Sequence, residues 1–302
     1  MRATRLSKRG GTAFRTLVRL TAVGGLIALV DVGTTPQRVA AELRRLATVR
    51  PDSTSYMRFA ARQGFPVRDH RWVDLDSVSP IGACAVVMGE DEQYFVQGTL
   101  NWPAQKEMVK RVLRGDFSRG GSGIAQQLAR NLFLTPERNP RRKVREYALA
   151  WTLSHELSKK RQLELYLNAV EWGRGIWGID AASRHYFGVA PSQLTATQGI
   201  ILVSILPAPR RGTSFAVAAS VGKRQEAVAL KLWRARFLSD AALAETIDRL
   251  KEWRSRAARG VAPDAAWREV EALMGPDLHV GETLDGTRSP LNLRCDVTRR
   301  GA

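Results

Sequence analysis

The sequence predicts an all-α fold, and two patterns carry that prediction. Apolar residues recur every three or four positions through most of residues 52–209, which is the periodicity of a helix with one buried face. The strict apolar–polar alternation of a half-buried strand is scarce, and glycines and prolines separate the periodic stretches. The predicted helices cover residues 102–113, 122–134, 141–158, 160–169, 194–206, 216–237, 240–259 and 265–274.

Composition and charge narrow the classes of partner. The 302-residue chain is 44% hydrophobic and 25% charged, as in a folded rather than a disordered protein. Its 47 Lys and Arg residues exceed its 29 Asp and Glu residues and give a net charge of +18. This excess favours an anionic partner, such as a phosphate-bearing substrate, an anionic bilayer or a nucleic acid. Because no zinc-finger, RNA-recognition or homeodomain pattern is present, we expect no nucleic-acid partner.

The first 32 residues predict a membrane anchor. Six basic residues precede the first acidic residue, Asp31, and an apolar run over residues 20–30 extends back to Phe14. That length reaches the roughly 20 residues of a membrane span if Arg15 and Arg19 snorkel to the interface. A cleaved signal peptide is the alternative, although residues 31–36 match a cleavage site poorly. The positive-inside rule then predicts a single-pass membrane protein whose body lies on the extracytoplasmic side.

The predicted domain organisation has four parts. Residues 1–32 form the basic segment and anchor, residues 33–51 a juxtamembrane linker with a short helix, residues 52–211 the main domain, and residues 212–302 a helical extension without an assigned role. The chain has two distant cysteines, and Cys84 lies in an apolar run. We therefore expect Cys84 to be a buried, inert thiol rather than half of a disulfide.

The first segment that could carry chemistry contains Glu90 and Asp91, which follow the apolar run 81–88 almost directly. A carboxylate at the end of a buried helix is held rigidly and partly desolvated, and desolvation raises its pKa toward the range of a general base. The alternative is a solvated acidic turn, which this segment taken alone favours.

The second segment is rich in glycine. Two glycines at 120–121 lead into Ser122, which we expect to be the N-cap of a helix whose free N–H groups can bind an anion. Gln127, Arg130 and Asn131 lie at i, i+3 and i+4 and share one face of that helix. A plain capped helix with a polar stripe explains the segment about as well.

The third segment places Arg142, Lys143 and Glu146 on one face of the next predicted helix. On an exposed helix these residues are an ion-pair ladder of little energetic consequence. Facing a cleft, they are a cation cluster for phosphate with a carboxylate beside it. Taken alone, the segment favours the ladder.

Five sequence blocks in order resemble the family-51 glycosyltransferases, which polymerise peptidoglycan. They are EDEQYF at 90–95, GGSGIAQQLARNLFL at 120–134, RKVRE at 142–146, LELYLNAVEWG with a later YFG across 163–188, and LTATQGIILVSILPAP at 194–209. RWVDLDSVSP at 71–80 resembles the lead-in of the stand-alone, monofunctional members. The resemblance covers a little over half of the chain. It implies a lysozyme-like, two-lobed helical domain that polymerises lipid II into β-1,4 glycan strands and releases undecaprenyl pyrophosphate.

The resemblance also implies a role for each matching residue. Glu90 matches the general base that deprotonates the acceptor sugar's 4-hydroxyl, and Glu146 matches the second catalytic glutamate, near the donor's pyrophosphate. Substrate-binding positions are Asp91, Gln97, Ser122, Gln127, Arg130, Asn131, Arg142 and Lys143. No cofactor is certain, and a divalent cation (Mg²⁺ or Mn²⁺) at the pyrophosphate stays open. The implied partners are lipid II, the growing glycan strand, the membrane and other cell-wall synthases.

Several positions carry residues that differ from the family's usual ones. Gln97 replaces a histidine, Gly123 and Ala125 replace threonines, and Gln198 replaces a glutamate. They motivate an alternative hypothesis, a catalytically weakened relic of the same fold that binds lipid II or acts as a cell-wall scaffold. A lytic enzyme with two carboxylates is another alternative, but it would have no use for the cation cluster.

Overall fold

The computed structural model describes residues 39–95, 122–137, 140–211 and 219–277. The predicted anchor at 1–32, the predicted helix at 102–113 and the candidate site residue Gln97 lie outside these ranges. Within the described ranges, none of the helices combines the length and the apolar character that crossing a bilayer requires.

The described part of the chain is mostly helical, as the periodicity predicts, and each predicted helix that falls on it is present with ends shifted by a few residues. The exception to helix is a short antiparallel hairpin of β1 (Glu171–Gly173) and β2 (Ile176–Trp177), too short to produce an alternating pattern. The helices are α1 (39–45), α2 (Ser55–Arg62), α3 (Pro80–Glu90), α4 (Ile124–Phe133), α5 (Pro140–Glu156), α6 (Lys159–Ala169), α7 (Ile179–Phe187), α8 (Ala196–Ile205), α9 (Ala219–Arg234), α10 (Asp240–Ala258) and α11 (Pro263–Met274).

Helix α3 lies at the centre of the core, and its sequence explains why. Ser79 caps its first turn by accepting a hydrogen bond from the Gly82 N–H at 3.4 Å, and Pro80 suits the first helical position because it has no N–H to leave unpaired. Residues Ile81 to Met88 are all buried, as expected for a helix that is apolar on every side. The helix ends at Glu90, so the first candidate carboxylate sits where the buried rod meets the polar part of the molecule.

Helix α8 packs most extensively against α3. Its N-terminus is a capping box, in which the Thr195 hydroxyl accepts from the Gln198 N–H at 3.3 Å and the Gln198 side-chain oxygen accepts from the Thr195 N–H at 3.0 Å. Glutamine and glutamate both serve at this position of a capping box. The glutamine that replaces the family's glutamate at position 198 therefore forms part of the N-terminal cap of α8.

The contact between α3 and α8 depends on small residues. A Cβ atom added at Gly199 would lie 2.9 Å from Ala85 Cβ and 3.1 Å from the Gly82 Cα. The two helices consequently approach with main chain nearly in contact, and this fixes the position of the helix that ends in Glu90.

The C-terminal helices belong to the same hydrophobic core. Helix α9 packs on α3 and α8, α10 packs on α8 and α9, and α11 packs on α10 and α7. Phe187 of α7 meets Trp267 of α11 edge to face, with ring centres 5.4 Å apart. The described residues after position 218 thus pack on the body of the molecule.

Cys84 departs from its predicted state. It is fully buried in α3, as expected, but it is disulfide-bonded, so the prediction of an inert thiol is wrong. The sequence contains one other cysteine, Cys295, which lies outside the described residues. The sequence around a cysteine does not reveal its bonding state, because a disulfide requires only that two Cα atoms lie close in space.

We predict that Gly199→Val destabilises the protein by about 1–3 kcal/mol, because the new side chain would overpack the contact between α3 and α8. Urea denaturation of the full-length chain in detergent measures this change in the free energy of unfolding. Ala258→Val, at an exposed position in the last turn of α10, is the matched control and should stay within about 0.5 kcal/mol of wild type. Equal stabilities for the two variants would contradict the proposed close contact.

Candidate active site

Glu90 is a largely buried carboxylate held from two sides. Its side chain is 11% exposed, its Oε2 accepts a hydrogen bond from Gln127 Nε2 of α4 at 2.5 Å, and its Oε1 accepts one from Arg224 Nη2 of α9. Burial raises the pKa of Glu90, while the positive charge of Arg224 and the Gln127 hydrogen bond oppose that rise. The solvated acidic turn is therefore wrong for Glu90, and the pKa moves in the direction expected of a general base.

Gln127 connects this carboxylate to the rest of the site. Besides Glu90, its amide Nε2 donates to the Ser122 carbonyl oxygen at 3.1 Å. Its Oε1 accepts from the hydroxyl of Tyr166, which is completely buried, at 3.1 Å. Because Oε1 is committed to a donor, Nε2 must face Glu90.

Glu146 is the second buried carboxylate, and it lies among cations. Its Oε2 accepts from Arg142 Nη1 at 2.7 Å, and its Oε1 accepts from Lys143 Nζ at 2.5 Å and from Ser122 Oγ at 3.4 Å. Lys143 also donates to Ser122 Oγ at 2.5 Å. Burial lowers the pKa of Lys143, and the neighbouring Glu146 charge opposes that effect. The group faces inward, so the surface ion-pair ladder is the wrong interpretation of this segment.

The two carboxylates belong to one hydrogen-bonded network. Gln127 contacts Glu90 and the main chain of Ser122, and the Ser122 side chain contacts Glu146 and Lys143. Of the residues that the structure describes, three cations contact the two carboxylates directly: Arg224 contacts Glu90, and Arg142 and Lys143 contact Glu146. The excess of positive charge suits an anionic ligand such as a phosphate.

The start of α4 differs from the prediction. The N-cap is Gly123 rather than Ser122, whose hydroxyl is engaged with Lys143 and Glu146. Asp91 supplies the cap instead, because its Oδ2 accepts from the Ile124 N–H at 3.1 Å. A Cβ atom at Gly123 would lie 2.2 Å from that oxygen, so the Asp91 carboxylate fills the space that a threonine side chain would need.

The other predicted positions of α4 are only partly drawn into the network. Arg130 is half-buried, its positive charge lowers the pKa of Glu90, and its guanidinium lies 5.9 Å from the Tyr56 ring centre. Asn131 is buried and donates to the Gln127 carbonyl at 2.9 Å, which is a bond within its own helix. Ala125 is buried in the hydrophobic core, so a hydroxyl at that position would face the core.

Arg224 is the site residue that sequence analysis missed. It lies in α9, in a segment assigned to an extension outside the main domain. Lys223 and Arg224 resemble many other basic pairs in a chain with 47 Lys and Arg residues. Only the packing of α9 against α3 distinguishes Arg224 from them.

By themselves, the described donors of this network do not form a metal site. Among the described residues, no group of three or more His, Cys, Asp or Glu side chains could hold a metal ion. Both oxygens of Glu146 already accept hydrogen bonds from cationic groups.

We predict that Asp91→Ala lowers the free energy of unfolding by about 1 kcal/mol, as loss of an N-cap does. Gly123→Ala should also displace the carboxylate. The double variant should therefore cost less than the sum of the two single variants, because both remove the same bond. Thermal or urea denaturation measures each, and Asp74→Ala, which removes an exposed carboxylate, is the control. Strict additivity would rule out the shared contact.

Comparison with known proteins agrees with this geometry. The family model described as transglycosylase matches residues 59–232, more than half of the chain. A biosynthetic peptidoglycan transglycosylase of Rhizobium etli is 42% identical over 165 residues, which cover 54% of this chain and 70% of that protein. Proteins of the same name from Methylobacillus flagellatus and Alcanivorax borkumensis are 38% identical over 166 residues and 40% identical over 169 residues. These matches cover 53% and 56% of this chain, and 72% and 68% of those proteins, respectively.

The family match includes Glu90, Glu146 and Arg224, and it runs past residue 211, where the sequence places the end of the main domain. The chain therefore belongs to the transglycosylase family, as a monofunctional family-51 glycosyltransferase.

Proposed function

We propose that the chain polymerises lipid II into the β-1,4 glycan strands of peptidoglycan and releases undecaprenyl pyrophosphate. One observation carries the proposal: Glu90 and Glu146 lie in a single hydrogen-bonded network, with Arg142 and Lys143 bonded to Glu146. Relatives named biosynthetic peptidoglycan transglycosylase support a polymerase over the alternative of a lipid II-binding relic.

Glu90 is the general base in this proposal. The acceptor sugar's 4-hydroxyl oxygen attacks C1 of the donor sugar, its proton passes to Glu90, and a new C1–O bond forms with inversion. The bond from C1 to the pyrophosphate oxygen breaks, and its electron pair leaves with undecaprenyl pyrophosphate. Each Glu90 oxygen has room for a further hydrogen bond, because a carboxylate oxygen has two lone pairs and each has one donor in the network.

Arg142 and Lys143 assist the departure of the pyrophosphate. Cations held in place before the reaction stabilise charge as it develops on a leaving group. Glu146 is fully buried and bonded to both, so it fixes their positions and limits their repulsion. A lytic enzyme neutralises the leaving oxygen of its glycan with a proton from a carboxylic acid. Its neutral substrate carries no pyrophosphate for cations to bind, and the cation cluster therefore favours synthesis.

The finer architecture is part of the same proposal. The mostly helical body and the family assignment support a lysozyme-like, two-lobed domain with the network at its cleft. We include the membrane as a partner, because lipid II is a membrane lipid, and other cell-wall synthases as candidates for contact.

Two observations support an extracytoplasmic location. The basic residues before the apolar run 20–30 favour a cytoplasmic N-terminus and an exported body. Cys84 is disulfide-bonded, and disulfides persist mainly in oxidising compartments outside the cytoplasm. We propose a single-pass anchor in the inner membrane with the catalytic body outside.

We predict that Glu90→Gln lowers the rate of glycan synthesis by about 10²–10⁴-fold, because glutamine cannot accept the proton. The assay is polymerisation of labelled lipid II by the full-length protein in detergent. Glu92→Gln is the control, because Glu92 is a nearby carboxylate that is 39% exposed and pairs with Lys231. Equal rates for wild type and Glu90→Gln would refute the assigned chemistry. Binding of lipid II by an inactive wild type would favour the relic.

For the location, we predict that alkaline phosphatase fused to the C-terminus is active in intact cells, because this enzyme folds only outside the cytoplasm. Deleting residues 1–32 should abolish that activity while the fusion is still synthesised. A green fluorescent protein fusion at the same position is the control and should stay dark when exported through the same route. The opposite pattern, with an inactive phosphatase and a fluorescent fusion, would place the body in the cytoplasm.

A further inference from the structure

We propose that Arg224 is a positioning residue of this reaction, which holds Glu90 ionised and fixed at the end of α3, and that α9 is consequently part of the catalytic unit. The inference rests on the proposed role of Glu90 as general base. It assigns a function to a helix that lies beyond the predicted main domain.

The contacts of Arg224 join the Glu90 side chain to the main chain of α3. Arg224 Nη2 donates to Glu90 Oε1 and, at 3.1 Å, to the carbonyl oxygen of Gly89. The arginine side chain is 29% exposed and the glutamate side chain 11% exposed. A single guanidinium nitrogen therefore fixes the carboxylate relative to the last turn of its own helix.

A second cation from α9 makes the same kind of contact one residue earlier in α3. Lys231 lies two turns after Arg224, on the same face of α9. Its Nζ donates to the Met88 carbonyl at 3.0 Å and lies 2.9 Å from Glu92 Oε2. The last carbonyls of a helix lack partners within the helix and favour positive charge, so both cations cap α3. Arg224 alone of the two also reaches Glu90.

The backbone that carries Arg224 is anchored by its neighbour. Gln225 is completely buried, and its Nε2 donates to Ser204 Oγ of α8 at 3.1 Å. Its Oε1 accepts from Arg254 Nη1 of α10 at 2.6 Å. Helices α8 and α10 thus hold α9 in register, and the position of the guanidinium follows from this packing of helices.

The charge balance around Glu90 explains why a cation is needed there. Among the described residues, the charged or titratable groups that act on it are Arg224 from α9, Arg130 from α4 and the Tyr166 phenol from α6, and Asp91 is the next residue along the chain. Burial favours the protonated carboxyl, which cannot act as a base. Arg224 is the strongest influence in the opposite direction and lowers the pKa of Glu90.

The experiment measures kcat/KM for lipid II polymerisation against pH in wild type, Arg224→Lys and Arg224→Met. On the acid limb of this pH profile, kcat/KM falls as Glu90 takes up a proton. We expect that limb to move to higher pH in Arg224→Met. Its rate loss should be about tenfold or more at acidic pH and should shrink as the pH rises. Arg224→Lys keeps the charge and should return the limb toward wild type. If Arg224→Met is too slow to profile, the ¹³C carboxyl shift of Glu90, assigned with Glu90→Gln, reports the same titration without turnover.

Lys231→Met is the matched control, because Lys231 is 30% exposed, caps the same helix end and does not contact Glu90. It should lose stability while keeping the wild-type acid limb. An unchanged limb in Arg224→Met, or equal shifts in both variants, would overturn the inference. If wild type makes glycan and Glu90→Gln does not, such a result counts against Arg224 alone. An inactive wild type counts against the proposed function.

Discussion

A carboxylate at the end of a fully apolar helix is the constraint on which the site depends. Helix α3 brings Glu90 to the edge of the core, where the charged form is costly unless it is paired. Hydrogen-bond donors from two other helices, Gln127 of α4 and Arg224 of α9, offset this cost. Because both donors come from elsewhere in the chain, the position of Glu90 is determined by the packing of three helices, and a loop conformation plays little part in it.

The second carboxylate, Glu146, has a different environment from Glu90, and the difference suggests a different chemical role. Glu146 is completely buried but pairs with two cations on its own helix, at i−3 and i−4. Removing one partner would leave the buried charge with a single cation, and removing both would leave it uncompensated, which makes such groups costly to disturb. Within the described ranges, Glu90 contacts one cation, Arg224, and its raised pKa suits proton transfer. Glu146 suits holding cations in place.

Much of the fold and part of the site follow from sequence, for identifiable reasons. Helical periodicity is local, so it predicts the described helices, and the spacing of Arg142, Lys143 and Glu146 predicts their shared face. The predictions that were wrong concern features that depend on long-range contacts. The predicted Ser122 cap is wrong because Asp91 reaches the start of α4 from the end of α3, and the sequence around Cys84 does not reveal its disulfide. The family resemblance itself connected the separate segments, which individually favoured simpler interpretations.

Contacts between distant parts of the chain also explain the residues that replace the family's usual ones. A threonine at position 123 competes for space with the Asp91 carboxylate, and a hydroxyl at Ala125 would face the core. Gln198 preserves a capping box, and it therefore maintains the start of the helix that packs on α3. These three positions act on how α3, α4 and α8 are joined, and the buried carboxylate pair keeps its donors in their presence. The replacements thus accompany a site in which Glu90 and Glu146 both accept hydrogen bonds from their neighbours, and the proposed polymerase activity draws on these bonds.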